Sequence, residues 1–154
     1  MSTLLEPSLE YVFELRVAVD DAVRIGSGDR DDLHFTPITG GTVSGPRLEG
    51  DVVPGGGDWW TLRGSTVQLD AHYLVRATDG ATIDVVNRGY WRAEPEVEER
   101  LFAGGSVSEE ELYYRTAFVF QTSAEPYRWL AESQFVGMAR PEPGLVCIRV
   151  FRLR

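Results

Sequence analysis

The sequence predicts a mainly β protein of about nine antiparallel strands, arranged as a barrel or a sandwich, with two or three short helices, filling residues 1–154 as one domain. Three observations lead there. Apolar residues recur with a period of two over most of the chain, the pattern of strands with one dry face. Tight-turn signals separate the runs, with Asp79-Gly80 the clearest two-residue hairpin. Helical patterning is confined to a few short stretches.

The elements follow in order. In SLEYVFELRVAV, residues 8–19, one face carries Leu9, Tyr11, Phe13, Leu15, Val17 and Val19. Two short strands are expected near Thr36–Ser44 and Arg47–Val53, joined at Gly45-Pro46, with Pro54–Gly57 as a turn. In TVQLDAHYLVRAT, Val67, Leu69, Ala71, Tyr73, Val75 and Ala77 face one way, and Gln68, Asp70, His72, Leu74 and Arg76 the other. The next strand sets Ile83, Val85, Asn87, Gly89 and Trp91 against Asp84, Val86, Arg88 and Tyr90. Glu94–Phe102 reads as a short helix with Pro95 in its first turn. Ser108 with Glu111 resembles a capping box ahead of the strand LYYRTAFVFQT. Ala124–Ser133 reads as one helix, and Gln134–Ala139 and Leu145–Leu153 close the chain as strands. Alternation leaves open whether the polar face of each strand meets water or lines an internal cavity.

The stretch GGTVSGPRLEGDVVPGGGDWW, residues 40–60, raises the question of a phosphate loop. A phosphate loop of the GxxxxGK[ST] type needs a lysine, and all 15 basic residues here are arginine. No helical pattern follows the glycines, as a dinucleotide fingerprint requires. They are therefore expected to shape strand bends at one barrel end and to bind no nucleotide.

A net charge of −9 repels phosphate backbones and argues against nucleic-acid binding. No apolar run approaches the ~18 residues of a membrane span. The N-terminus lacks the basic and apolar regions of a signal peptide, so the cytoplasm is the expected location. Two histidines and one cysteine are too few for an ordinary zinc cluster. The lack of lysine removes Schiff-base chemistry, and no redox-cofactor or GxSxG motif occurs, so no cofactor and no metal are expected. Cys147 reads as a small buried strand residue.

ITGGTVSGPRLEGDVVPGGGDW, LDAHYLVRATDGATIDVVNRG, YYRTAFVFQT and YRWL followed by FVG occur in that order. On these motifs the chain resembles uncharacterised protein family 0311, also known as domain of unknown function 3237, over nearly its full length. The resemblance implies a calycin-like barrel with an internal small-molecule cavity and suggests non-redox addition or ring-forming chemistry in metabolite biosynthesis.

Polar residues of the middle strands are the candidates for chemistry. Asp70 and His72 share a strand face with Arg76, and a carboxylate beside an imidazole can poise a base near neutrality. An exposed pair on the outer face is the plainer reading. Asp58, next to Trp59, can be desolvated by the indole and so gain general-acid capacity. Arg47 and Arg88 offer planar forks for a carboxylate or enolate oxygen. Tyr113 and Arg115 share a face that Tyr114 does not. The catalytic candidates are thus His72, Asp58 and Asp70, and the substrate-binding ones Arg47, Trp59, Arg88, Tyr113 and Arg115.

The leading functional expectation is a cofactor-independent enzyme doing acid/base chemistry on a carbonyl or phenolic metabolite: hydration, conjugate addition, isomerisation or cyclisation. The alternative is a non-catalytic ligand-binding barrel. A homo-oligomer, most simply a dimer, is expected because the helices are too few to cover every apolar strand face.

Overall fold

A computed structural model of the chain describes residues 3–154. Nine strands run in order: β1 (Leu9–Val19), β2 (Val23–Gly26), β3 (Asp32–Ser44), β4 (Gly50–Arg63), β5 (Thr66–Ala77), β6 (Thr82–Ala93), β7 (Leu112–Gln121), β8 (Phe135–Glu142) and β9 (Leu145–Leu153). Helix α1 (Pro95–Phe102) lies between β6 and β7, and α2 (Arg128–Ala131) between β7 and β8. The strands pair antiparallel in the sequence β1-β9-β8-β7-β6-β5-β4-β3-β2, and a further β1–β3 pairing closes the sheet on itself. The result is an eight-stranded closed barrel with β2 appended to the edge of β3. No helix among the described residues is long and apolar enough to cross a membrane.

Closure decides which strand face is dry. The apolar alternation points inward: Leu69, Tyr73 and Val75 of β5, Ile83 and Val85 of β6, Phe118 and Phe120 of β7, and Ile148 and Val150 of β9 are all buried. An eight-stranded barrel has an interior just wide enough for side chains to fill. In β1 the ladder to β9 shifts between Tyr11 and Phe13, and both Val12 and Phe13 are fully buried at this irregularity.

Several expectations are corrected. Pro54–Gly57 is not a turn between strands: β4 runs through it, and its ladder with β5 shifts between Val53 and Gly57. The glycines turn the strand without ending it, with Gly55 at a φ of 118°. Strand β3 starts at Asp32, before Thr36, and the strand expected from Arg47 begins at Gly50. Gly41, with φ 137°, sits where β3 crosses β1, and a side chain there would collide with the Arg16 backbone carbonyl. Barrel closure at β1–β3 therefore requires glycine at this position. The expected Ala124–Ser133 helix is a 3₁₀ turn, Glu125–Tyr127, followed by α2.

The two halves of the interior differ. Towards α2, Phe13, Phe118, Phe120 and Phe135 pack as an aromatic cluster with ring centroids 5.0–5.9 Å apart, and Trp129 leans on Phe135. Towards α1 the interior is hollow.

Candidate functional site

The hollow is a cavity of about 270 Å³ walled by β1 and β3–β9, with Leu101 and Phe102 of α1 at its mouth. Its lining is mostly apolar: Val17, Ile38, Val67, Leu69, Ala71, Ile148 and the indoles of Trp60 and Trp91. Set into that wall are Thr36, Asp58, Tyr73, Asn87, Tyr114 and Thr116. Among the described residues, no arginine or histidine lines it.

Asp58 reaches the cavity because β4, after its glycine-rich irregularity, pairs again with β5 at Gly57 and Asp58. Its Oδ1 accepts a hydrogen bond from the Asp70 backbone N–H at 2.9 Å. Burial pushes the Asp58 carboxyl up to about 6, from an ordinary 3.8. The Asp70 hydrogen bond opposes that rise, and the nearby Asp70 charge adds to it. Burial also raises the phenols of Tyr73 and Tyr114 well above their usual range, and the Asp58 charge raises both further. At neutral pH the site therefore holds one largely ionised carboxylate near two firmly protonated phenols.

Further polar contacts shape the wall. Trp60 donates its indole N–H to Thr36 Oγ1 at 2.9 Å, and its ring stacks on His34 with centroids 4.0 Å apart. The Tyr73 hydroxyl, Asn87 Oδ1 and Thr116 Oγ1 are buried and have no hydrogen-bond partner among the described residues.

Of the residues singled out from the sequence, only Asp58 lines this cavity. The candidates Arg47, Asp58, Trp59, Asp70, His72 and Arg88 do not come together in one pocket. Asp70, His72 and Arg88 lie on the outer barrel face, with side chains 56%, 58% and 70% exposed. Asp70 does not orient His72. It accepts from Arg88 Nε at 3.0 Å, while His72 Nε2 meets Asp84 Oδ1 at 2.8 Å. Directly opposed residues such as Asp70 and Arg88 approach more closely than residues two apart on one strand. Trp59 is also outside, against Phe35 at 4.7 Å. Arg47 is bound to Glu10 and lies over Trp129, 4.2 Å from the ring centroid, so it belongs to the other end of the barrel. On the outer face, Arg92 and Arg115 lie over the ring of Tyr113, while Tyr114, one residue on, points inward.

Tyr73, Asn87, Tyr114 and Thr116 escaped selection, yet a signal existed. Each is a polar-tipped residue within an otherwise apolar alternation, which is where a buried polar group belongs.

The family model for "Protein of unknown function (DUF3237)" matches residues 7–153. The chain belongs to this family. A UPF0311 protein of Bradyrhizobium diazoefficiens is 34% identical over 97% of this chain and 99% of its own length. The crystal structure of a conserved protein of unknown function from Rhodopseudomonas palustris superposes with a TM-score of 0.89 at 29% identity, covering 99% of this chain and all of that one. A hydroalkoxylation enzyme of Penicillium herquei is 29% identical over 80% of this chain and 68% of its own length. A relative with a catalytic name thus aligns with 80% of this chain.

Proposed function

We propose that the protein is an enzyme of non-redox acid/base chemistry, in which Asp58 takes a proton from a hydroxyl as the oxygen adds to a carbon–carbon double bond in the same molecule. The observation that carries this reading is a carboxylate raised to about 6 in a largely apolar cavity it shares with two protonated phenols. A base is most effective when its pKa lies near the working pH. The likeness to a hydroalkoxylation enzyme supports the same class, since hydroalkoxylation is the addition of an O–H across a double bond.

The proton and charge balance is complete with the residues present. In a conjugate addition, Asp58 removes the hydroxyl proton and the oxygen bonds to the β-carbon of an unsaturated ketone. The electron pair moves to the carbonyl oxygen as an enolate. Tyr73 and Tyr114, held protonated by burial, are the donors that stabilise that oxyanion. The Asp58 proton then returns to the α-carbon, and no net proton is gained or lost. The apolar wall strengthens each of these electrostatic contacts by excluding water.

Cyclisation of 2′-hydroxychalcone, followed by loss of its absorbance, tests the proposal. The parent protein is expected to accelerate ring closure, with kcat/KM rising through pH 6 to a plateau. Asp58→Asn is expected to lose about 10²–10⁴ in rate, the usual worth of a positioned general base. No acceleration over buffer, or an Asp58→Asn variant as fast as the parent, would leave the barrel as a ligand carrier.

A further inference from the structure

We propose that Tyr73, Asn87 and Thr116 form a recognition subsite for a hydroxyl or carbonyl oxygen of an uncharged ligand, opposite the oxygen that meets Asp58. The inference rests on the reading of the cavity as the reaction site and deepens it by naming what that cavity selects.

The three residues come from the inner faces of consecutive strands, β5, β6 and β7. Each turns a side-chain oxygen into buried surroundings where no group among the described residues answers it. A buried polar atom without a partner carries a desolvation penalty, and native structures rarely keep several together without a purpose. The wall is cut to fit them. Thr116 stands directly between Gly89 of β6 and Gly137 of β8 in the ladder. A Cβ at Gly137 would run into Thr116 Oγ1 and come within 2.7 Å of the Phe118 ring. Ala71 separates Asp58 from Asn87 in one cross-strand row, Asp58 facing Ala71 and Ala71 facing Asn87. Two strand spacings put the backbones of Asp58 and Asn87 about 10 Å apart, with only a methyl group between them as floor. A ring lying on Ala71 would present one edge to Asp58 and the other to Asn87.

Charge narrows the ligand further. The carboxylate of Asp58 faces the cavity, and among the described residues no arginine or histidine does. A ligand carboxylate or phosphate would enter without a counter-ion and against a like charge, which a largely apolar site penalises severely. The ligand class is therefore a neutral aromatic or alicyclic molecule with at least two oxygens, such as a polyhydroxylated ring or hydroxy-ketone. The Asn87 amide can present either its oxygen or its nitrogen, so the subsite serves a hydroxyl or a carbonyl.

Titration calorimetry with three probes of one shape tests this: 2-naphthol, naphthalene and 2-naphthoate, each against the parent and an Asn87→Leu/Thr116→Val variant. For the parent, 2-naphthol is expected to bind about tenfold tighter than naphthalene. At pH 8, 2-naphthoate is expected to bind at least about tenfold more weakly than 2-naphthol, since one unpaired buried charge costs well over that factor. In the variant the naphthol advantage over naphthalene disappears, while naphthalene binding persists and reports an intact cavity. The subsite is refuted if 2-naphthoate binds as tightly as 2-naphthol, if the naphthol advantage survives in the variant, or if 2-naphthol shows no saturable binding. Asp58→Asn separates the two readings. If it cyclises 2′-hydroxychalcone at the parent rate while the naphthol preference holds, the catalytic reading fails and the subsite stands.

Discussion

Replacing Asp58 by Asn should make the protein more stable at pH 8 and leave it nearly unchanged at pH 4. Burial lifts the Asp58 carboxyl from 3.8 to about 6 in the folded protein. A carboxyl whose folded pKa is raised binds its proton more tightly when folded. Its contribution is therefore most favourable below the unfolded value and is lost as pH rises through the window from about 4 to about 6. At ~1.36 kcal/mol for each tenfold change in proton affinity, the folded state gives up about 2–3 kcal/mol across that window. An asparagine keeps the oxygen that accepts from the Asp70 N–H and carries no charge at any of these pH values. The variant should thus gain about 2–3 kcal/mol over the parent at pH 8, a rise of roughly 5–10 °C in Tm for a domain of this size. Urea unfolding of both proteins between pH 4 and pH 8 measures the difference directly, since carboxylates common to both largely cancel. A difference that stays flat across the range, or that favours the parent at high pH, would refute a desolvated Asp58. A gain in stability with a loss of turnover is the usual mark of a strained active-site group.

Other outcomes follow from the same geometry. Thr116→Val replaces an unpartnered hydroxyl by a methyl group of like shape and should stabilise the ligand-free protein by up to about 1 kcal/mol in urea unfolding. Gly137→Ala would press a methyl group on Thr116, Phe118 and Ile148 and should cost about 1–3 kcal/mol, seen as a fall in Tm. His72→Ala removes one exposed side-chain contact with Asp84 and should change stability by less than about 1 kcal/mol. Its effect on the cyclisation rate should be far smaller than that of Asp58→Asn.

The strands were legible because a period of two survives wherever one face is dry. Val67 to Ala77 and Ile83 to Trp91 appear in the barrel with the faces and hairpin read from the sequence. Strand β2 was not legible: four residues, Val23–Gly26, on one edge carry no alternation worth the name. The glycine run in β4 was misread as a turn because Pro54 and three glycines resemble one locally, while pairing on both sides holds the strand on course. The site was harder. Alternation sorts residues into two faces, but which face is concave depends on the β1–β3 closure, a contact between distant segments. For that reason Asp70, His72 and Arg88 looked like a constellation and stand outside. The more telling pattern was a polar residue intruding on an apolar face, as Asn87 does between Val85 and Gly89 and Thr116 between Tyr114 and Phe118.

The proposed chemistry needs a desolvated carboxyl inside the barrel, placed to meet the ligand. Carbon-13 NMR titration of the Asp58 side-chain carboxyl, alone and with 2-naphthol, tests it most directly. The expected midpoint is near 6 in the free protein, and it moves higher when the ligand displaces solvent from the cavity. A midpoint near 3.8, or one indifferent to 2-naphthol while resonances of His72 and Arg88 on the outer face respond, would contradict the account.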